Sequence, residues 1–269
     1  MLKDITLGQY FPGKTFVHRL DPRTKVLLVL GYIVALFLVQ TIYGYLLVAI
    51  FLTAAVVISH IPLRSLLSGI KPLIVILVFT GLLNVFYTKG EGEPLVDWWI
   101  IHIYREGLIA AGYMVLRIML LICGTFLLTY TTSPIALTDA LESLLKPLAK
   151  LKVPVHELAM MMCIALRFIP TLIEETDKII SAQKARGADF ESGNLFRRAK
   201  ALIPILVPLF VSAFRRADEL ATAMECRCYH GGAGRTKLKV LRYAGNDALA
   251  FGAGLLLLGS VITLRVFGL

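Results

Sequence analysis

Four apolar stretches crowd the first half of this chain and a fifth closes it, and they restrict the fold more than any other feature. Residues 26–39, 46–58, 73–87 and 108–130, then 248–266, are dominated by Leu, Ile, Val and Phe. A bilayer core about 30 Å thick takes ~20 helical residues to cross. Inside lipid every backbone polar group must find its partner within the segment, so such runs resolve as helices. The first two runs are short, but Gly, Thr and Tyr in the turn Gln40-Thr-Ile-Tyr-Gly44 extend both to workable length. With only 17% charged residues and a mean hydropathy of +0.76, an ordinary soluble domain is excluded. The expectation is an all-α, multi-pass membrane protein with about five spans.

The charge pattern orients it. A net charge of +10 first serves to hold loops on the cytoplasmic side of a membrane, and not to bind nucleic acid. Lys14, His18, Arg19, Arg23 and Lys25 precede the first run, His60, Arg64 and Lys71 precede the third, and Arg235, Lys237, Lys239 and Arg242 precede the last. Between the third and fourth runs, Glu91, Glu93, Asp97 and Glu106 outweigh Lys89 and Arg105. The N-terminus is therefore expected in the cytoplasm and the C-terminus outside, in the cell membrane, with lipid as a partner and no nucleic acid. Trp98 and Trp99, in the acidic segment, read as an interfacial belt. Cys123, Cys163, Cys226 and Cys228 fall in an apolar span or in segments placed in the cytoplasm, so no disulfide framework follows. The first twenty-five residues lack the apolar core of a secretory signal.

Between the fourth and fifth spans lies a long segment that is helical without spanning. The division expected is 1–131 for four spans, 132–245 for a cytoplasmic helical domain and 246–269 for the last span. Thr132-Ser133-Pro134 is a strong helix start, an N-cap followed by proline at the first helical position. Pro154 restarts a helix, Pro170 opens another, Gly187 ends that one as a left-handed cap, and a last helix, broken or kinked at Pro204 and Pro208, runs to Tyr229 and stops at Gly231-Gly232. One short word appears twice: Ser181-Ala-Gln-Lys-Ala185-Arg186-Gly187, then Thr222-Ala-Met-Glu-Cys226-Arg227-Cys228, forty-one positions on. Ile179 and Leu172 sit seven and fourteen residues before Arg186, and Leu220 and Ala213 hold the same places before Arg227. Each arginine thus continues an apolar stripe, an unusual place for a charge on a surface helix. A single such Arg would be read as a complement to its helix dipole, worth ~0.3–1 kcal/mol. Two in matching words point to anchors delivered into a partner.

Other motifs carry less. Gly8-Gln-Tyr-Phe-Pro-Gly13-Lys14-Thr15 fits the phosphate-loop pattern by letter, yet that loop needs a strand before it and a helix N-terminus facing the phosphates, and here the next helix is a membrane span. Cys226, Cys228 and His230 offer three ligand types in five residues, but spacings of one suit chelate loops poorly, so no metal site is expected. The two cysteines read as small, tight-packing neighbours of Arg227, as Ala185 and Gly187 are of Arg186. His102 has no Ser or Cys partner at an informative spacing; no catalysis and no cofactor is expected. Arg117 falls near mid-membrane, where a charge faces either a substrate path or a polar groove.

These words, with His18-Arg-Leu-Asp-Pro22-Arg23-Thr-Lys25, Leu166-Arg-Phe-Ile-Pro170-Thr-Leu-Ile-Glu174-Glu175 and Arg216-Ala-Asp218-Glu through Gly231-Gly232, resemble the transmembrane T component of energy-coupling factor (ECF) transporters. The resemblance covers nearly the whole chain. It implies a non-catalytic subunit in which two long coupling helices cross in an X beneath the membrane. It implies two ABC-type ATPase subunits, each taking one arginine into a groove, and a separate substrate-binding (S) membrane subunit for a vitamin or metal. By resemblance, Ala185, Arg186 and Gly187, with Cys226, Arg227 and Cys228, contact the ATPases. The departure is Cys on both sides of Arg227, where that family commonly has Ala before and a small residue after. A permease binding its own substrate through Arg117, and a membrane enzyme, are the alternatives.

Overall fold

The computed structural model describes residues 10–88, 96–98, 101–188, 190, 194–232, 234, 236 and 240–267. Gly8 and Gln9 of the phosphate-loop pattern, Trp99, the acidic residues Glu91 and Glu93, and the basic Arg235, Lys237 and Lys239 lie outside the described residues. The chain opens with a one-turn helix, α1 (Phe16–Arg19), followed by α2 (Pro22–Leu38), α3 (Ile42–Ser59) and α4 (Leu63–Ile70). A 3₁₀ turn over Lys71–Leu73 leads into α5 (Ile74–Tyr87). A short antiparallel pair, β1 (Val96–Trp98) and β2 (Ile101–Ile103), joins α5 to α6 (Arg105–Thr131) with Asp97 opposite His102. Then come α7 (Pro134–Leu145), α8 (Val155–Ala185), α9 (Leu195–Cys226) and α10 (Gly245–Phe267).

Five helical stretches of the described residues are long and apolar enough to cross a membrane: Ile42–Ser59, Leu63–Tyr87, Arg105–Thr131, Val155–Ala185 and Gly245–Phe267. The number matches the sequence expectation, but the set differs in two ways. α2, with 17 residues, is not among the five and stands at the short end of the range of about 17–25 residues that crosses a bilayer. Conversely α8 qualifies because its first half is apolar, whereas Glu174, Glu175, Asp177 and Lys178 charge its second half. The basic stretch 60–71 is also not an open loop: α4 carries most of it straight into the third apolar run.

Pro170 was expected to open a new helix and Pro204 and Pro208 to break or kink one, and the structure corrects the first and rules out a break at the other two. Pro170 lies inside an unbroken 31-residue α8, and Pro204 and Pro208 inside an unbroken 32-residue α9. All three prolines sit at exposed positions, and each helix continues through the one backbone bond that a proline removes. The start at Pro134 holds as expected, with Ser133 Oγ accepting from Ala136 N at 3.3 Å. The helix tightens to 3₁₀ over Lys146–Leu151, where Pro147 interrupts the α pattern.

The residues fall into two compact units, one within 8–140 and 241–269, the other within 141–240. In the first, α2 packs against α6, α10 and α3, and Tyr32, Leu36, Tyr45, Val48 and Val261 are almost wholly buried. Gly124 on α6 is required for this, since a Cβ there would stand 2.4 Å from the Tyr32 ring. The Tyr32 hydroxyl meets its own need by donating to the Leu120 carbonyl at 2.9 Å.

The base of the same unit is polar and closed. Asp21 caps α2 by accepting from Arg23 N at 2.9 Å, and its two oxygens also take the Arg23 guanidinium. The Asp21 N–H donates to Asp247 Oδ1 at 2.8 Å, and Asp247 Oδ2 accepts from Ala244 N at 2.7 Å. One buried carboxylate at the start of α10 therefore fastens the last helix to the first long one. Lys25 Nζ donates to the Thr131 carbonyl at 2.9 Å, and the Arg23 guanidinium lies 4.1 Å from the Tyr243 ring centroid.

In the second unit α8 and α9 lie against each other. The α7 side is tied in by His156 Nδ1 and Glu142 Oε1, 3.0 Å apart. Much of α9 remains apolar and uncovered: Phe196, Ile203, Val207, Phe210 and Phe214 follow one helical face, and all are more than half exposed.

Candidate functional site

The two arginine words end in the same backbone structure. Arg186 is the C-cap of α8 (φ −84, ψ 6) and Arg227 the C-cap of α9 (φ −95, ψ 15). Past Arg186, Gly187 N donates to Lys184 O at 3.0 Å and Ala188 N to Gln183 O at 3.0 Å. Past Arg227, Cys228 N donates to Glu225 O at 2.8 Å and Tyr229 N to Met224 O at 3.0 Å. Every donor and acceptor in the second set is the first shifted by forty-one. This is a Schellman cap, which needs a left-handed residue just after the C-cap. Gly187 takes that place at φ 85, as expected from sequence, and Cys228 takes it at φ 56.

One expectation changes here. The second helix was read as running to Tyr229, but it closes at Cys226, so both arginines occupy the same capping position. Cys226 and Cys228, read as small packing neighbours of Arg227, are both exposed in this chain alone. Cys228 is distinguished by its backbone instead: a β-carbon in the left-handed region costs ~1–2 kcal/mol.

Ala185, Arg186, Gly187, Cys226, Arg227 and Cys228 are all exposed. Among the described residues, no hydrogen bond or ion pair engages either guanidinium. Ile179, Leu172, Leu220 and Ala213, the stripe behind them, are half-buried. Each cation is thus carried to the end of a rigid helix, beside carbonyls that give that end partial negative charge, with its five donors free.

Sequence reasoning missed the contact that holds the two helices together. Arg216 on α9 donates to Glu175 Oε2 on α8 at 2.6 Å. The signal that could have found it was present, because Glu175 and Arg216 are again forty-one residues apart.

Arg117 receives a structural assignment. Its Nε donates to the Tyr45 hydroxyl at 2.9 Å and a terminal nitrogen to the Val39 carbonyl at 2.9 Å. Val39 is the C-cap of α2, so the guanidinium satisfies a helix end and pins α6 to the α2–α3 turn, under the Tyr45–Tyr113 ring stack at 5.3 Å. Of the two readings left open for it, this geometry is the polar groove. Of the phosphate-loop residues, Thr15 shares a 2.6 Å hydrogen bond with His18 Nδ1, while His18 Nε2 donates to Phe11 O at 3.0 Å. The helix that follows is four residues long, too short to present a helix N-terminus to phosphates. Burial holds the His18 pKa below the usual histidine value. The described residues hold no cluster of three His, Cys, Asp or Glu able to grip a metal.

Comparison with known proteins agrees with this architecture. The cobalt transport protein family, CbiQ, matches residues 13–238. The energy-coupling factor transporter transmembrane protein EcfT of Clostridium kluyveri is 54% identical over 267 residues, covering 99% of each chain. EcfT of Ruminiclostridium cellulolyticum is 54% identical over 98% of each chain, and EcfT of Bacillus subtilis 49% identical over 92% of this chain and 93% of its own. With the family matched over most of its length and half of its residues shared with such relatives, the chain belongs to the CbiQ family, as a transmembrane T component of energy-coupling factor transporters.

Proposed function

We propose that this chain is the coupling subunit of its transporter, passing ATP-driven motion of two ABC-type ATPase subunits to a separate substrate-binding membrane subunit that takes up a vitamin or metal. The observation that carries the reading is the pair of equivalent helix ends, each presenting an exposed, unpaired arginine. A planar guanidinium on a rigid stem suits a carboxylate-lined groove, because it can pair bidentately and carries its charge at any physiological pH. Two such ends on one chain match two subunits of one ATPase dimer. Closure of the dimer would then drive α8 and α9 as levers.

The uncovered apolar face of α9 supports the other half of the reading. Five large side chains in helical register need a partner, and a membrane-embedded substrate subunit has the apolar surface to supply it. The segment 132–245 is placed in the cytoplasm, with the N-terminus inside and the C-terminus outside, on the charge asymmetry of the connecting segments. Arg117 is already engaged by Val39 and Tyr45, which argues against this chain binding its own substrate there. The chain itself carries out no catalysis in this reading.

Docking at both ends is bivalent, so the second contact forms at high effective concentration once the first is made. Co-purification of the ATPase subunits with tagged chain in mild detergent tests this. Arg186→Ala or Arg227→Ala should each retain some ATPase while transport falls sharply, and the double variant should lose nearly all of it. A double variant that captures ATPase as well as either single one would refute the two-anchor reading.

A further inference from the structure

We propose that the Glu175–Arg216 pair is the pivot of the α8–α9 device, lying on a local two-fold axis that relates one arm to the other. When two copies of a structure meet across a two-fold axis, residues of equal register meet on the axis itself. The two arginine words are offset by forty-one, the two sets of capping hydrogen bonds are offset by forty-one, and the ion pair joins residues forty-one apart. Glu175 stands eleven residues before Arg186, and Arg216 eleven before Arg227. At 1.5 Å per residue each arginine is carried about 16 Å along its helix beyond the ion pair. The arms are therefore equal, although the two residues at their meeting point carry opposite charges.

That difference is what makes the point a clasp. Two identical charges at the axis would repel, whereas Glu on one helix and Arg on the other form a hydrogen-bonded pair. Both partners are partly shielded from water, with side chains 32% and 23% exposed, so the pair is screened less than an open surface bridge. A single clasp of this kind restrains the angle between two helices while leaving them able to rotate about it. Arg216 and Glu175 are positioning residues, acting on the distance between Arg186 and Arg227.

This inference rests on the coupling reading for its consequence in transport but not for its geometry, so the two can be tested apart. In full-length chain with the four native cysteines replaced, spin labels on Ala182→Cys and Ala223→Cys, both exposed and related by the same offset, report the separation of the arms. Arg216→Glu and Glu175→Arg should each shift and broaden the distance distribution, and the two together, with the charges exchanged, should restore it. In the assembled transporter each single reversal should lower transport about tenfold, the scale of one charged hydrogen bond, with ATPase capture unchanged and transport regained in the exchanged pair. An unaltered distribution in either single reversal, or an exchanged pair as broad as the singles, overturns the pivot. Restored distances with transport still lost would instead keep the pivot and overturn its role in coupling.

Discussion

The ends of α8 and α9 make the same two Schellman hydrogen bonds and differ at the residue that must turn left-handed, Gly187 in one and Cys228 in the other. Glycine enters that region without steric cost, and cysteine does not. The same backbone in both, despite the cost in one, leaves the two arginines at equivalent capping positions. The second end therefore carries a backbone cost that the first lacks.

The largest expected effect comes from removing the common element. Because the contacts are bivalent, loss of ATPase capture in the Arg186→Ala, Arg227→Ala double variant should far exceed the sum seen for the singles, each contact contributing on the order of 2–5 kcal/mol. Next comes exchange of guanidinium for ammonium. Arg186→Lys and Arg227→Lys keep charge but lose the planar fork, and transport in membranes should fall well below wild type for both. A wild-type rate with normal assembly would show that charge alone matters. If only one Lys variant is damaging, the two ends are not equivalent in docking.

Smaller effects probe the difference itself. No atom lies within 4 Å of a Cβ added at Gly187, so Gly187→Ala isolates the backbone term and should destabilise by about 1 kcal/mol. Cys228→Gly should stabilise by ~0.5–1 kcal/mol for the converse reason. Thermal unfolding in detergent reads both, and opposite signs are required. The smallest effect belongs to Lys14→Ala, which should leave transport by the assembled complex largely intact; loss of nucleotide binding by the isolated chain would restore the phosphate-loop reading.

The apolar runs located most of the membrane helices because lipid leaves the backbone no alternative. Composition and length part company at two places: α2, with 17 residues, is at the short end of a span, and the first half of α8 is apolar enough to qualify as one. Pro170 misled because a hydrogen bond lost from the backbone ladder at a proline need not end a helix, and α8 runs through it unbroken. The arginine words were legible as a repeat, and Gly187 as a cap. What could not be read was that Cys228 plays the glycine part, since only the backbone shows it. Asp247 was hidden for a similar reason, because its partner, the Asp21 backbone, is 226 residues away.

The central claim is that each arginine end sits in its own ATPase subunit, and site-directed cross-linking tests it most directly. Cys226 is a native thiol beside Arg227, and Ala185, its counterpart beside Arg186, is exposed. In chains stripped of other cysteines, a short thiol-to-amine linker from Cys226 alone, or from Ala185→Cys alone, should join one ATPase subunit to the chain. With both thiols present, a single chain should carry two ATPase subunits in one cross-linked product. A product that never exceeds one subunit, or that forms from only one of the two ends, would contradict the account.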